Sequence, residues 1–146
     1  ISTHERQEEI YLLRNFPISG IGFQLQWSGF YPDFIMWLKT EKEQTIVFID
    51  PKGLEHSKSL NNEKIQFAGF SDEADDSNNI VTIKTIEAKL ANRHIRLESF
   101  IISQTSYVDL IKGETIYPTK EEFIKHHVLF LEDKNWPEIL FTALAK

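Results

Sequence analysis

Two acids and a lysine lie at the outer ends of two neighbouring apolar runs. Asp33 precedes the run that ends at Leu38, and the run that begins at Thr45 is followed by Asp50 and Lys52. Charged groups at the end of a buried strand cost desolvation free energy unless they have partners. The pattern therefore indicates a chemical role for these three side chains.

The two apolar runs predict a β-hairpin around the charged segment 40–43. In that register Ile35 faces Phe48 and Asp33 faces Asp50, and because strand side chains alternate, Lys52 shares the face of Asp50. Directly opposed residues have Cβ atoms about 4.5–5.5 Å apart, which lets two carboxylates hold one divalent cation between them. Oxygen ligands alone favour Mg²⁺ or Mn²⁺.

A lysine beside such a cation has two plausible tasks. It can orient the attacking water, or stabilise charge that develops on a phosphoryl oxygen while the metal activates the water. Simpler interpretations stay open: Asp33 can be a turn residue after Pro32, and the segment 50–53 can be an exposed turn.

The elements that must position these residues follow from hydrophobic periodicity and capping signals. The patterns predict, in chain order, a helix from His4 to Phe16, a strand over 21–27, strands over 33–38 and 44–50, a helix start at 61–63, a helix over 80–90, a strand over 95–103, a helix from Thr119 and a last helix from Trp136 to Leu144. Residues 128–131 fit a short strand or the end of the preceding helix. This order describes one α/β domain.

Composition limits the classes of function. The chain has 146 residues, about one domain. It contains no cysteine, which excludes disulfides and thiolate metal sites. A net charge of −6 argues against a protein that grips DNA alone, although a nuclease whose DNA is held by another domain remains compatible. No apolar run reaches the roughly 20 residues of a membrane span. The lack of cysteine permits a reducing, cytoplasmic location, which is the one we expect.

The motif Pro32-Asp33, followed by Asp50-Pro51-Lys52 on the adjacent strand, resembles that of the PD-(D/E)xK nucleases. The sequence around this motif resembles the C-terminal endonuclease domain of type III restriction enzyme Res subunits, and the resemblance covers roughly Glu9 to Ile102. The resemblance implies a restriction-endonuclease-like core: a helix, a three-stranded antiparallel meander, a helix and a fourth strand, with C-terminal helices. It also implies that residues 1–146 form a single nuclease domain from the C-terminus of a larger helicase-like subunit.

The resemblance assigns roles to the motif residues. Asp33 and Asp50 would ligate Mg²⁺, with Mn²⁺ as a substitute, the Pro51 carbonyl would be a further ligand, and Lys52 would be the catalytic lysine. Pro51 departs from the common pattern. Because proline removes a ladder N–H, we expect it to end or bulge the strand.

Other expectations concern a third acid, the substrate and the partners. Family members often add a glutamate from the first helix, for which Glu9 is the first choice and Glu8 the second. His56 and Lys58 follow the motif and could contact a phosphate. The expected partners are DNA, a helicase domain in the same polypeptide and a modification subunit, with ATP used only by the motor. Two alternatives remain: an inactive nuclease-like binding or docking module, and an α/β interaction domain whose motif is accidental.

Overall fold

The computed structural model describes residues 8–25, 28–54, 59–70 and 81–145. Its centre is a five-stranded mixed sheet in the order β1-β4-β5-β6-β7, and β2 and β3 form a separate two-stranded sheet. The elements are β1 (Glu9–Arg14), β2 (Phe23–Gln24), β3 (Gly29–Phe30), β4 (Phe34–Lys39), β5 (Gln44–Lys52), α1 (Glu63–Gln66), α2 (Ile83–Leu90), β6 (Ile95–Ser103), α3 (Tyr107–Ile111), α4 (Lys120–Lys125), β7 (Val128–Phe130) and α5 (Trp136–Leu144).

The large sheet combines antiparallel and parallel pairing. β1, β4 and β5 form an antiparallel meander, whereas β6 pairs parallel to β5 and β7 parallel to β6. Parallel neighbours need a long crossover, and α2 lies in the connection between β5 and β6. The predicted α/β class is confirmed.

The predicted hairpin register is confirmed. Ile35 pairs with Phe48 and Trp37 with Ile46. Over β4, β5, β6 and β7 the sheet buries both of its faces, because these strands alternate apolar side chains between them. One face packs against the small hairpin, α1 and α2, and its core contains Phe30, Ile35, Phe48, Phe67 and Ile83. The other face packs against α5, and its core contains Met36, Val47, Ile49, Phe100, Leu140 and Leu144.

The prediction that Pro51 ends or bulges its strand is wrong. Pro51 stays in register opposite Ile102, and β5 continues to Lys52, whose carbonyl accepts a hydrogen bond from the Gln104 N–H at 3.0 Å. Alternate strand residues direct their backbone groups to opposite neighbours. Pro51 therefore turns its nitrogen toward the β4 side, where pairing has already ended at Ile49, and no ladder bond is lost.

The prediction of an N-terminal helix is wrong for those of its residues that the structure describes. Residues 9–14 form β1, which pairs antiparallel along the free edge of β4. The helical spacing of Ile10, Leu13 and Phe16 was coincidental: these side chains are 52, 55 and 71% exposed and cover no core. Backbone groups at the edge of β4 need partners, and an extended segment supplies them where a helix cannot. Residues 4–7 of the predicted helix lie outside the described part.

Capping signals located the other helices well. Thr119 and Glu122 form the predicted capping box of α4, and Asn62 caps α1. α5 begins with proline in its first turn, as predicted. Residues 128–130 are a strand rather than the end of a helix. The short helix α3, capped by Ser106, was not predicted.

Side chains cover the outer edge of β6 where β7 does not reach. Glu87 of α2 accepts a hydrogen bond from the Leu97 N–H at 2.6 Å, and Lys84 Nζ donates to the Leu97 carbonyl at 2.9 Å. Lys84 also bonds the buried carboxylate of Glu98 at 2.9 Å. The His127 Nδ1 contacts the Ser99 carbonyl at 3.1 Å, and burial lowers the pKa of His127 to about 4. The neutral ring therefore donates from Nδ1 to that carbonyl.

None of the helices in the described ranges is long and apolar enough to cross a membrane.

Candidate functional site

The carboxyl end of β5 brings two carboxylates and one ammonium group to one face of the sheet. Asp50 and Lys52 lie two residues apart on β5, and Asp33 precedes β4 where the observed register, continued by one pair, places it opposite Asp50. The backbone of Asp33 lies close enough to the Asp50 carboxylate to lower its pKa. Asp50 is only 7% exposed, whereas Asp33 is open to solvent. The predicted constellation is therefore assembled.

Asn15 fixes the segment that carries Asp33. Its backbone N–H donates to the Asp33 carbonyl at 2.7 Å, and its side-chain amide donates to the Pro32 carbonyl at 2.9 Å. The same side chain donates to the Ile21 carbonyl and accepts from the Ile21 N–H. Asn15 thus ties the end of β1 and the loop before β2 to the backbone of one candidate ligand.

The electrostatics of Asp50 favour binding of a positive charge. Burial raises the pKa of the Asp50 carboxyl above its ordinary value, and repulsion from the Asp33 carboxylate raises it further. Lys64, Lys52 and the backbone of Asp33 act in the opposite direction and lower this pKa. The raised pKa means that the ionised form of Asp50 is unfavourable without a nearby cation.

A second lysine lies beside the predicted one. Burial lowers the pKa of Lys52 from 10.5 to about 8, and the adjacent Lys64 lowers it as well, while Asp50 raises it. Lys64 lies in the first turn of α1, where its backbone N–H donates to the Asn62 side chain at 2.9 Å. Its Nζ lies 5.5 Å from the ring centroid of Phe30, a cation–π distance that holds the side chain over the core.

The oxygen atoms at this end of the sheet suit a hard divalent cation. Asp33 and Asp50 offer carboxylates, and the alternation of β5 turns the Pro51 carbonyl toward the same unpaired side. Mg²⁺ often binds through one or two carboxylates and keeps several waters. Within the described ranges no cluster of three or more His, Cys, Asp or Glu residues could hold a metal ion. Two carboxylates and one carbonyl are therefore the oxygen groups that this end of the sheet offers to a cation.

The structure does not bring Glu9 to the site. Glu9 pairs with Lys39 at the opposite end of β1 and β4, and its carboxylate accepts a hydrogen bond from the Tyr11 hydroxyl at 2.7 Å. From Lys39 back to Asp33 the strand extends about 20 Å at about 3.3 Å per residue. Glu8, the second choice, precedes Glu9 at the same end, so neither glutamate lies near the two aspartates.

Two further candidates, His56 and Lys58, lie outside the described residues. Sequence reasoning missed two residues that the structure adds to the site. Lys64 had a usable signal, because the predicted helix start at 61–63 follows the motif directly and places the next residue in the first turn. Asn15 had none, since its bonds join segments far apart in the chain.

The chain belongs to the YagJ family, whose family model matches residues 21–120. The matched segment contains the site residues Asp33, Asp50, Lys52 and Lys64, whereas β1 lies outside it. No curated protein and no solved structure matches the chain.

Proposed function

We propose that this member of the YagJ family is a Mg²⁺-dependent endodeoxyribonuclease domain, the cleavage module of a restriction enzyme. One observation carries the proposal: Asp33, Asp50 and Lys52 lie on one face at the open end of two adjacent strands. The motif and the geometry agree, because the hairpin register carries Asp33 and Asp50 to opposed positions and Lys52 to the same face.

The strand topology supports a restriction-endonuclease-like core. β1, β4 and β5 provide a three-stranded antiparallel meander, α2 follows, and β6 provides the fourth strand. The meander begins with β1 rather than with the segment 21–27 that the sequence suggested. In this arrangement Asp33 directly precedes the second strand of the meander and Asp50 lies in the third.

The side chains have separable roles in the proposed hydrolysis. Asp33 and Asp50 would hold Mg²⁺ together with the Pro51 carbonyl, and the ion when bound would supply a Lewis acid and an activated water. Lys52, with a pKa of about 8, carries its proton at neutral pH and can stabilise charge on a non-bridging phosphate oxygen. Lys64 adds a second positive charge beside it, which favours an anionic substrate.

The net charge of −6 indicates that other parts of the assembly hold the DNA. We therefore propose that a helicase-like domain in the same polypeptide and a modification subunit deliver the substrate, in the cytoplasm. ATP would be consumed by that motor and not by this chain.

Cleavage of plasmid DNA by the intact protein with Mg²⁺ tests the proposal. Asp50→Ala and Lys52→Ala should each reduce the cleavage rate by at least about a hundredfold, the usual effect of removing such a group. Glu41→Gln is the matched control, because Glu41 is exposed in the hairpin turn at the opposite end of β4 and β5. Retained cleavage in both alanine variants, with unchanged circular dichroism, would end the proposal.

A second candidate function is a nuclease-like binding module that does not cut. The absence of a third acid near the two aspartates in the described ranges favours it. Calorimetry with Mn²⁺ separates the two functions. Binding that disappears in Asp33→Ala supports the enzyme, and no binding by a well-folded protein supports the module.

A further inference from the structure

The edge strand β1 is unusual because its side chains are not buried against a core, and nothing in the described ranges packs over them. All six of its residues are exposed, including Ile10, Tyr11, Leu12 and Leu13 at 52, 53, 60 and 55%. It joins the sheet through its antiparallel pairing with β4. A long, apolar edge with unpaired backbone groups is a template for another strand.

The hydrogen-bond pattern shows which residues of β1 face outward. The Asn15 N–H donates to the Asp33 carbonyl, so Asn15 points its backbone toward β4. Because strand residues alternate, Leu13 and Tyr11 also point toward β4, whereas Leu12 and Arg14 direct their N–H and carbonyl groups to the open edge. Glu8 and Ile10 continue this outward set.

We propose that β1 pairs antiparallel with β1 of a second copy of this chain, in the register that places Tyr11 opposite Tyr11 of that copy. In a two-fold interface the same surface of both copies is in contact. One residue of β1 therefore lies on the two-fold axis, opposite the same residue of the second copy. With Tyr11 on the axis, the outward-facing Ile10 pairs with Leu12 of the second copy. The two sheets then become one continuous sheet.

The charges at the ends of β1 select this register. With Tyr11 on the axis, Glu8 lies directly opposite Arg14 of the second copy, and the symmetric pair repeats at the other end. With Leu12 on the axis instead, Arg14 would lie opposite Ile10, and Glu8 opposite Phe16. Opposite charges directly across an antiparallel pair stabilise it. β1 is therefore self-complementary in charge as well as in apolar surface.

Cysteine scanning tests the register, because the natural chain contains no cysteine. In the proposed dimer the Cα atoms of the two Tyr11 residues are about 4.5 Å apart, within disulfide range. The two Leu12 Cα atoms are about 8 Å apart, beyond that range. Tyr11→Cys should therefore form a disulfide dimer on mild oxidation and Leu12→Cys should not. Cross-linking of Leu12→Cys alone, or of neither variant, would overturn the proposal.

Charge reversal tests the pairing without oxidation. Arg14→Glu and Glu8→Arg should each weaken self-association by about tenfold in sedimentation velocity, since both symmetric pairs become repulsive. An equimolar mixture of the two variants should associate at least as tightly as the unaltered protein, because every pair is again opposite in charge. Glu41→Arg, the same charge change in the distant hairpin turn, should have no effect.

A protein that stays monomeric at all concentrations would contradict the proposal, as would two variants that fail to complement each other. The inference does not depend on the proposed nuclease activity, since neither assay uses DNA or metal. A catalytically inactive chain can dimerise, and an active chain can be monomeric.

Discussion

Lys52 should lower the stability of the fold at neutral pH, and replacing it with methionine should make the protein more stable. Its pKa falls from 10.5 to about 8 because the side chain is partly buried and Lys64 lies beside it. Each pKa unit corresponds to about 1.4 kcal/mol, so the whole shift corresponds to about 3.4 kcal/mol. Solvent screens a side chain that is only partly buried, and we expect Lys52→Met to gain about 1 kcal/mol.

The gain depends on pH in a defined direction. The folded state binds the Lys52 proton more weakly than the unfolded chain does, so the penalty is fully present below pH 8. It disappears as the pH rises from about 8 to 10.5, where the unfolded chain also loses its proton. The difference in unfolding free energy between Lys52→Met and the unaltered protein should therefore shrink between pH 7 and pH 10.

Urea unfolding at both pH values measures this difference. Lys39→Met is the matched control, because Lys39 is an exposed strand lysine at the opposite end of β4. Its substitution should change stability equally at both pH values. If Lys52→Met were no more stable than the unaltered protein at pH 7, or if its gain persisted at pH 10, the argument for a strained ammonium at the site would be refuted.

Three further predictions concern the site and the sheet edge. Lys64→Gln should raise the pKa of Lys52 toward its ordinary value, because a neighbouring charge that lowers it is removed; the Lys52 ¹³Cε chemical shift measured against pH reports this. Mn²⁺ binding should weaken on acidification at a pH above the ordinary carboxyl range, because the pKa of Asp50 is raised, and calorimetry in buffers of different ionisation enthalpy should detect proton release. Lys84→Met should destabilise the fold by about 2 kcal/mol in urea unfolding by removing a partner of the buried glutamate on β6, whereas Lys89→Met on the exposed side of α2 should be nearly neutral.

The positions of Asp33, Asp50 and Lys52 were predictable because they follow from local sequence patterns. A hairpin register follows from the hydrophobic alternation of two runs and from the length of the turn between them, and a slip of one residue would move every apolar side chain to the wrong face. Asp33, Asp50 and Lys52 are carried by that register. Capping boxes are equally local, which is why α4 began where Thr119 predicted.

The errors came from interactions between segments distant in the chain. The sequence 9–14 has helical spacing, yet its structure depends on the free edge of β4, which begins about twenty residues later. The misplacement of Glu9 followed from that error. Pro51 was misjudged for a related reason: its effect depends on which neighbour its nitrogen faces, and that depends on where β4 ends.

The two edges of the large sheet differ in whether they can grow. At the far edge β7 has only three residues, all of them buried, and where β7 does not reach β6 the Glu87 and Lys84 side chains bond the Leu97 backbone and His127 bonds the Ser99 carbonyl. At β1 no backbone bond from the described ranges reaches the outward-facing groups. A sheet that accepts a strand at one edge only cannot propagate, so edge pairing stops after one addition. At high protein concentration we therefore expect dimers, and fibrils should form only when α2 is displaced from β6.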